Sequence, residues 1–341
     1  MFAPNESEIA AVGLGSAGIK VVSLLSKESL LVDRFVYVSC DSNDFNCVEG
    51  GEKILIDAPI AQKRTPAIVR GLASGAQSMI RDALGGAKAV FVVAGLGGAT
   101  GSGLAPLVAS LANECGATTV GVAVMPFDYE KKMKFYAGVS LRQLRAASKG
   151  VIVIDNDTLM KSTPDDSLLG IYDVANREAV KSLGSLLARS SAESVPVGLN
   201  KLLVTVAQDG YALLGVSNSG SHDKAEDALA GAVVSIGKLA EAAEASRAVV
   251  VLRGDRSLSA SEVGVVVKQL GSMLNNKDVD VEYCVDYSGS PQLQVSVLAS
   301  GFKSTKYDDY DPITKALRGN VLDGEADSAL IIGLEPLQPC E

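Results

Sequence analysis

The segment AGLGGATGSGLAP, Ala94–Pro106, holds five glycines, Gly95, Gly97, Gly98, Gly101 and Gly103, with Ala99, Thr100 and Ser102 among them. It follows an apolar strand pattern at Ala89–Ala94 and opens a helical pattern at Leu104–Glu114. A stretch so dense in glycine costs backbone entropy that packing alone hardly justifies. Backbone wrapped closely around phosphate groups does justify it, because bare N–H groups at a helix N-terminus attract anions. A second loop, AVGLGSAG at Ala11–Gly18, lies between the strand pattern Ile9–Leu14 and a helix running to about Ser26. It fits G-x-G-x-x-G through Gly13, Gly15 and Gly18. Alone it is weak evidence, since a tight βα turn without a ligand has the same pattern. Asp41, just past the strand Phe35–Ser39, stands where a dinucleotide-binding fold places its ribose acid; capping a turn is the alternative. A dehydrogenase needs one such loop, whereas two phosphate loops point to a nucleoside di- or triphosphate.

The first half of the chain alternates short β-branched runs with helical patterns. Ala67–Leu84, Leu104–Glu114 and Tyr129–Ser148 read as helices, and Thr118–Met125 and Val151–Ile154 as strands. Near-continuous apolar strands between helices imply a doubly wound parallel sheet covered on both faces. A long helical stretch follows from about Leu169 to Ala188, then the polar segment SSAESVPVGLN with Pro196, which reads as an interdomain loop. Beyond it, Tyr211–Val216, Ala248–Leu252, Val279–Val285 and Gln292–Ala299 read as strands. Helices are expected from Ser221, as a cap, to about Ala243, and over Ser259–Leu274. The expected fold class is α/β: a doubly wound nucleotide-binding domain (1–168), a central helix (169–190), a loop (191–201), a smaller α+β domain (202–303) and a tail (304–341).

The 341 residues suit two domains, each large enough for its own core. A net charge of −9 repels a phosphate backbone and argues against nucleic acid as a general partner. Five scattered cysteines and the lone His222 fit neither a disulfide framework nor a zinc site; cytoplasmic thiols are the natural reading. The acidic start, MFAPNESEIA, lacks the basic region of a signal peptide, and no apolar run is long enough for direct membrane insertion.

The second glycine loop resembles the tubulin/FtsZ signature G-G-G-T-G-[ST]-G, read here from Gly97 to Gly103 with Ala99 in place of one glycine. The resemblance runs over about residues 8–303. MPFDYEKK, Met125–Lys132, resembles the segment in which Glu130 would contact a ribose, with Pro126 and Lys134 on the same side of the nucleotide. VIDNDTLMK, Val153–Lys161, places Asn156 on the guanine side, or as a helix cap. YDVAN, Tyr172–Asn176, resembles F-G-A-A-N, where Tyr172 would stack on guanine and Asn176 would bond its edge. The resemblance implies a tubulin/FtsZ-like fold that binds GTP or GDP, with Mg2+ as an optional companion. It places Gly13, Gly15, Ser16, Ala17, Gly18, Lys20 and Asp41, with Gly95 and the Gly97–Gly103 loop, around the phosphates and sugar. It further implies a cytoskeletal protein in the cytoplasm that assembles head to tail with itself, in cell division or cell shape. An FtsZ paralogue or a membrane anchor is the partner implied for the tail, through ADSALIIGLEPLQP.

Three departures qualify this. Lys20 replaces the family's Asn after the first loop. The γ-phosphate loop G-x-G-A-G-x-x-P has become DAPIAQKRTP, Asp57–Pro66, without glycines, leaving Lys63 or Arg64 to substitute by charge. The loop N-x-D-x-x-D, which orients water in the next subunit's pocket, reads PVGLNK, Pro196–Lys201, without an acid. Lys201 could still stabilise transition-state charge, and Glu193 and Asp209 are the nearest acids. Binding with slow or absent GTP hydrolysis is therefore expected. An active GTPase with non-standard residues and a non-polymerising regulator are the alternatives.

Overall fold

The computed structural model describes residues 9–28, 30–58, 64–159, 168–191, 194–208, 210–219, 225–287 and 292–316. Strand β1 (Ile9–Leu14) runs directly into α1 (Gly15–Leu25); β2 (Arg34–Ser39) and β3 (Glu52–Leu55) follow. Helices α2 (Pro66–Leu72) and α3 (Gln77–Leu84) precede β4 (Ala89–Gly95), α4 (Ala99–Glu114), β5 (Thr118–Met125), α5 (Lys131–Ala146) and β6 (Gly150–Asp155). Then come the short α6 (Asn156–Leu159), the long α7 (Leu168–Leu186), the two-residue β7 (Ser194–Val195) and α8 (Leu199–Val206). The second half contains β8 (Tyr211–Ser219), α9 (Ala225–Gly237), β9 (Arg247–Arg253), α10 (Ala260–Met273), β10 (Asp280–Asp286) and β11 (Leu293–Phe302).

The strands form one sheet in the order β3-β2-β1-β4-β5-β6-β8-β11-β9-β10-β7. Pairing is parallel from β3 through β8, while β11 runs antiparallel to both neighbours. Alternate residues of each strand feed two separate cores. Ala10, Val12 and Leu14 join one with α2–α5, α9 and α10; Ile9 and Ala11 join the other with α1, α7 and α8. Burial on both faces is why the strands read as unbroken apolar runs. The doubly wound arrangement expected from the sequence is thus present, and the β6–β8 pairing carries it without a break into the second half.

Several local outcomes differ from the sequence pattern. The helix expected over Ala67–Leu84 breaks at a 3₁₀ turn, Ala73–Ala76, which contains Gly75 and follows Gly71. Helix α8 begins at Leu199, inside the stretch read as loop. Residues Lys306–Tyr310 form a 3₁₀ turn against α5, so close that a Cβ on Gly138 would meet Tyr310 at 2.5 Å. Ser259 and Glu262 cap α10 reciprocally, as their spacing implies, a motif that contributes on the order of 1 kcal/mol. The Ser221 cap, His222 and the ADSALIIGLEPLQP segment lie outside the described residues.

Candidate functional site

The site grows from the carboxyl ends of β1 and β4. β1 turns directly into α1 and β4 reaches α4 after the three residues Leu96–Gly98, and neither helix has a side-chain N-cap or an acid in its first turn. The first helical bond of α4 runs from the Ser102 N–H to the Gly98 carbonyl, so the N–H groups of Ala99, Thr100 and Gly101 precede it. The two N-termini adjoin: a Cβ on Gly15 would lie 3.2 Å from both Gly101 N and Thr100 Cβ. Two helix dipoles and two sets of unpaired N–H groups thus converge without a competing negative charge.

Glycines permit this approach. A Cβ on Gly101 would fall 2.2 Å from the Gly95 carbonyl oxygen, and one on Gly18 would fall 2.3 Å from that of Val93. Gly97 has φ +107, and its N–H donates to Ser102 Oγ at 2.7 Å in a fully buried contact. Ser102 therefore ties the loop together from below, while Gly98, Ala99 and Thr100 line its outer side. Ser16 and Lys20 are exposed on α1, and Ala17 packs against Gly95. Gly13 lies beneath α1, where its Cβ would strike Gly18 O at 2.7 Å, and a Cβ on Gly103 would meet Pro66 O at 2.6 Å.

Thr65 caps α2 and Pro66 occupies its first turn, which brings the end of the altered DAPIAQKRTP stretch beside α4. Burial pushes the Cys40 thiol pKa up, while the Arg64 guanidinium and the Thr100 hydroxyl pull against that shift. Arg64 thus lies within electrostatic reach of Cys40, which also neighbours Thr100 of the second loop; Lys63 is outside the described residues. Asp41 accepts from both the backbone and the side-chain amide of Asn43, each at 3.0 Å, and caps the 3₁₀ turn Ser42–Cys47.

The sugar and base side is assembled from three elements. Pro126 is buried at the end of β5, and the Glu130 carboxylate accepts the Phe127 N–H at 2.8 Å and the Tyr172 hydroxyl at 2.6 Å. Asn176 sits one turn beyond Tyr172 on α7, so both project from one face. Asn156 opens α6 directly after β6. Asn156 and Asn176 are 8% and 9% exposed, two largely buried amides on this side of the site. An amide carries both donors and an acceptor, so the pair suits a ligand edge that presents both. Lys134 pairs with Asp128 at 3.0 Å and lies over the Tyr310 ring at 4.8 Å.

Lys201 is elsewhere. Helix α7, 19 residues and so about 28 Å long, runs from Leu168 past Tyr172 towards the opposite edge of the sheet. There the Ala188 segment bridges Leu30, and a Cβ on Gly150 would strike Val206 at 2.2 Å, which places α8 beneath the start of β6. Lys201 on α8 is paired with Glu282 at 2.7 Å. Glu193 and Asp209 lie outside the described residues. Sequence reasoning missed the Lys134–Tyr310 contact and the Thr100–Cys40 neighbourhood, because no motif links those positions.

A family model for the Tubulin/FtsZ family, GTPase domain, matches residues 8–164. The chain is 33% identical over 232 residues to cell division protein FtsZ 1 of Pyrococcus horikoshii, covering 65% of this chain and 62% of that one. It is 31% identical over 328 residues to cell division protein FtsZ of Buchnera aphidicola, covering 91% of this chain and 84% of that one. The chain belongs to the tubulin/FtsZ family. An FtsZ structure from M. jannaschii superposes with a TM-score of 0.77 at 25% identity, covering 87% of this chain and 91% of that one. The GTPγS-bound protofilament of CetZ2 from Haloferax volcanii shares the fold, with a TM-score of 0.70 at 21% identity and 94% of this chain covered. The tubulin/FtsZ GTPase-domain match ends at 164, so it takes in both glycine loops and Asn156 but stops short of Tyr172 and Asn176. No helix among the described residues is long and apolar enough to cross a membrane.

Proposed function

We propose that this chain binds GTP or GDP across the two glycine loops and assembles head to tail into filaments in which GTP turns over slowly or not at all. The observation that carries the reading is the convergence of the α1 and α4 N-termini, free of acids, with two largely buried amides, Asn156 and Asn176, on the base side. Phosphates suit the first feature and a guanine edge suits the second. Arg64 supplies a cation beside the second loop, where the glycines of the usual γ-phosphate loop are missing. Among the described residues no group of three His, Cys, Asp or Glu could hold a metal. A Mg2+ ion would sit on phosphate oxygens and water, its usual coordination.

Assembly follows from where the two ends of α7 lie. Lys201 stands at the edge away from its own glycine loops, so it can approach only the nucleotide of another copy. A contact between opposite edges does not close on itself and generates a filament. The protofilament formed by CetZ2 supports the reading. Slow turnover follows from Ser194–Lys201, SVPVGLNK, which offers no acid to orient water. Cell division is the process of the two named relatives, and is the role proposed here.

The test combines three measurements: nucleotide released from the denatured protein, pelleting with electron microscopy in GTP, GDP or neither, and phosphate release against protein concentration. Guanine nucleotide, GTP-dependent filaments and little phosphate are expected. Assembly indifferent to nucleotide would overturn the filament reading, and rapid, concentration-dependent phosphate release would overturn slow turnover.

A further inference from the structure

The Tyr172 hydroxyl has a partner that a phenylalanine at this position could not have. Ring packing does not require the oxygen, since the edge-to-face contact with Phe127, at 5.2 Å and 74°, uses the ring alone. The hydroxyl nevertheless donates to Glu130 Oε1 at 2.6 Å, the short distance of a charge-assisted bond. Glu130 Oε2 accepts the Phe127 N–H at 2.8 Å. Both oxygens of the carboxylate are thus held, one from α7 and one from the loop after β5. A carboxylate offers about four lone-pair sites, so two remain for a ligand. Glu130 is only half-buried, and a ligand hydroxyl can reach it. Burial, followed by the bond to Glu130, pushes the Tyr172 pKa well above its ordinary value of 10.0, so the hydroxyl remains a donor at any working pH.

We infer that Tyr172 is a positioning residue: its hydroxyl holds the Glu130 carboxylate ready to accept from a ribose hydroxyl, so that the site selects ribonucleotides over nucleotides lacking the 2′ and 3′ hydroxyls. The inference rests on the guanine-nucleotide reading above. An unrestrained glutamate loses side-chain freedom on binding, whereas this one has lost it beforehand. The same residue therefore links the ring beside the base to the grip on the sugar.

The test compares GTP with 2′,3′-dideoxyGTP by titration calorimetry on the wild-type chain, Tyr172→Phe, Glu130→Gln and the double variant. Tyr172→Phe keeps the ring and its contact with Phe127, and thermal unfolding checks that the fold is retained. The wild type is expected to prefer GTP by about tenfold, the worth of one hydrogen bond to a charged group. Tyr172→Phe is expected to lose most of that preference through weaker GTP binding, with dideoxyGTP affinity unchanged within about twofold. The double variant should be no worse than Glu130→Gln alone, because the two side chains act as a unit. Equal losses for both nucleotides, unchanged GTP affinity in Tyr172→Phe, or a wild type that binds the two alike would overturn the inference. A wild type that binds neither would overturn the guanine-nucleotide reading itself, and the two failures are thereby distinct.

Discussion

Lys201 Nζ lies 2.7 Å from Glu282 Oε2, so the cation expected to act on a phosphate is paired within its own chain. The side chains are 60% and 30% exposed, and such a pair contributes little to stability. Lys201→Ala should change the unfolding free energy by less than about 1 kcal/mol in urea titrations. With about 21 Å of α7 between Tyr172 and the far end of the helix, monomer affinity for GTP should stay within about twofold of wild type. A tenfold loss in calorimetry below the assembly concentration would contradict the opposite-edge placement.

Gly98 and Gly101 should separate folding from binding. A Cβ on Gly98 meets nothing within 4 Å and its φ is −74, whereas one on Gly101 falls 2.2 Å from a carbonyl oxygen. Gly98→Ala is expected to keep its unfolding midpoint within about 2 °C, since no contact is strained. It should weaken nucleotide binding, because its methyl enters the space beside the α4 N-terminus. Gly101→Ala should cost about 1–3 kcal/mol or more by overpacking. Thermal scans and calorimetry on both variants check the contrast, and equal stability of the two would refute it.

Asp157 makes stability depend on pH. Burial first, then the charges of Asp155 and Asp128, raise its pKa above the ordinary 3.8, while the Asp128 N–H and Lys306 oppose the rise. A carboxyl whose folded pKa is raised binds its proton more tightly in the folded state. Its penalty is absent below pH 3.8, grows as pH rises through the folded pKa, and is complete above it. Asp157→Asn retains the oxygen that accepts the Asp128 N–H at 2.9 Å. Its unfolding midpoint should exceed wild type at pH 7, and the difference should disappear below pH 3.8. A constant difference across the range would rule this out.

The cysteines should react in order of exposure. Burial, then the Asp286 charge, pushes the Cys284 thiol up to about 12, and burial also raises Cys40. Cys47 is exposed. Iodoacetamide at pH 8 should modify Cys47 within minutes and reach Cys284 and Cys40 only in denaturant, as read by peptide mass mapping. Early labelling of Cys284 would contradict the packing of β10 against α7, where its thiol bonds the Ser185 carbonyl at 3.2 Å.

The central strands were legible because both faces of IAAVGL, AVFVVAG, TTVGVAVM and GVIVID are buried, leaving unbroken apolar runs. Strand β3, EKIL, was not, because at a sheet edge only one of its four residues is buried. Helix α8 was hidden by Pro196 and Gly198, which read as loop although Leu199–Val206 carries an apolar face. The site divides in the same way. Glycine density and order marked the phosphate loops, but the sequence treated Thr100 and Ser102 as equivalent hydroxyls. Ser102 turns inward to hold Gly97, while Thr100 stays half-buried at the mouth beside Cys40.

From its sequence alone this chain is a doubly wound α/β protein with two phosphate-type loops and without the acids of the usual hydrolysis loop. Those properties reside in residue type and local order: glycine where backbone must approach a ligand, apolar runs where both faces are covered, and neutral or basic side chains where carboxylates would orient water. Only the tertiary structure showed that the sheet continues from β6 into β8, that Lys201 faces away from its own glycine loops, and that Tyr172 reaches Glu130 across 42 positions of chain. Sheet pairing and side-chain direction arise from contacts between segments distant in sequence, and no local pattern records them.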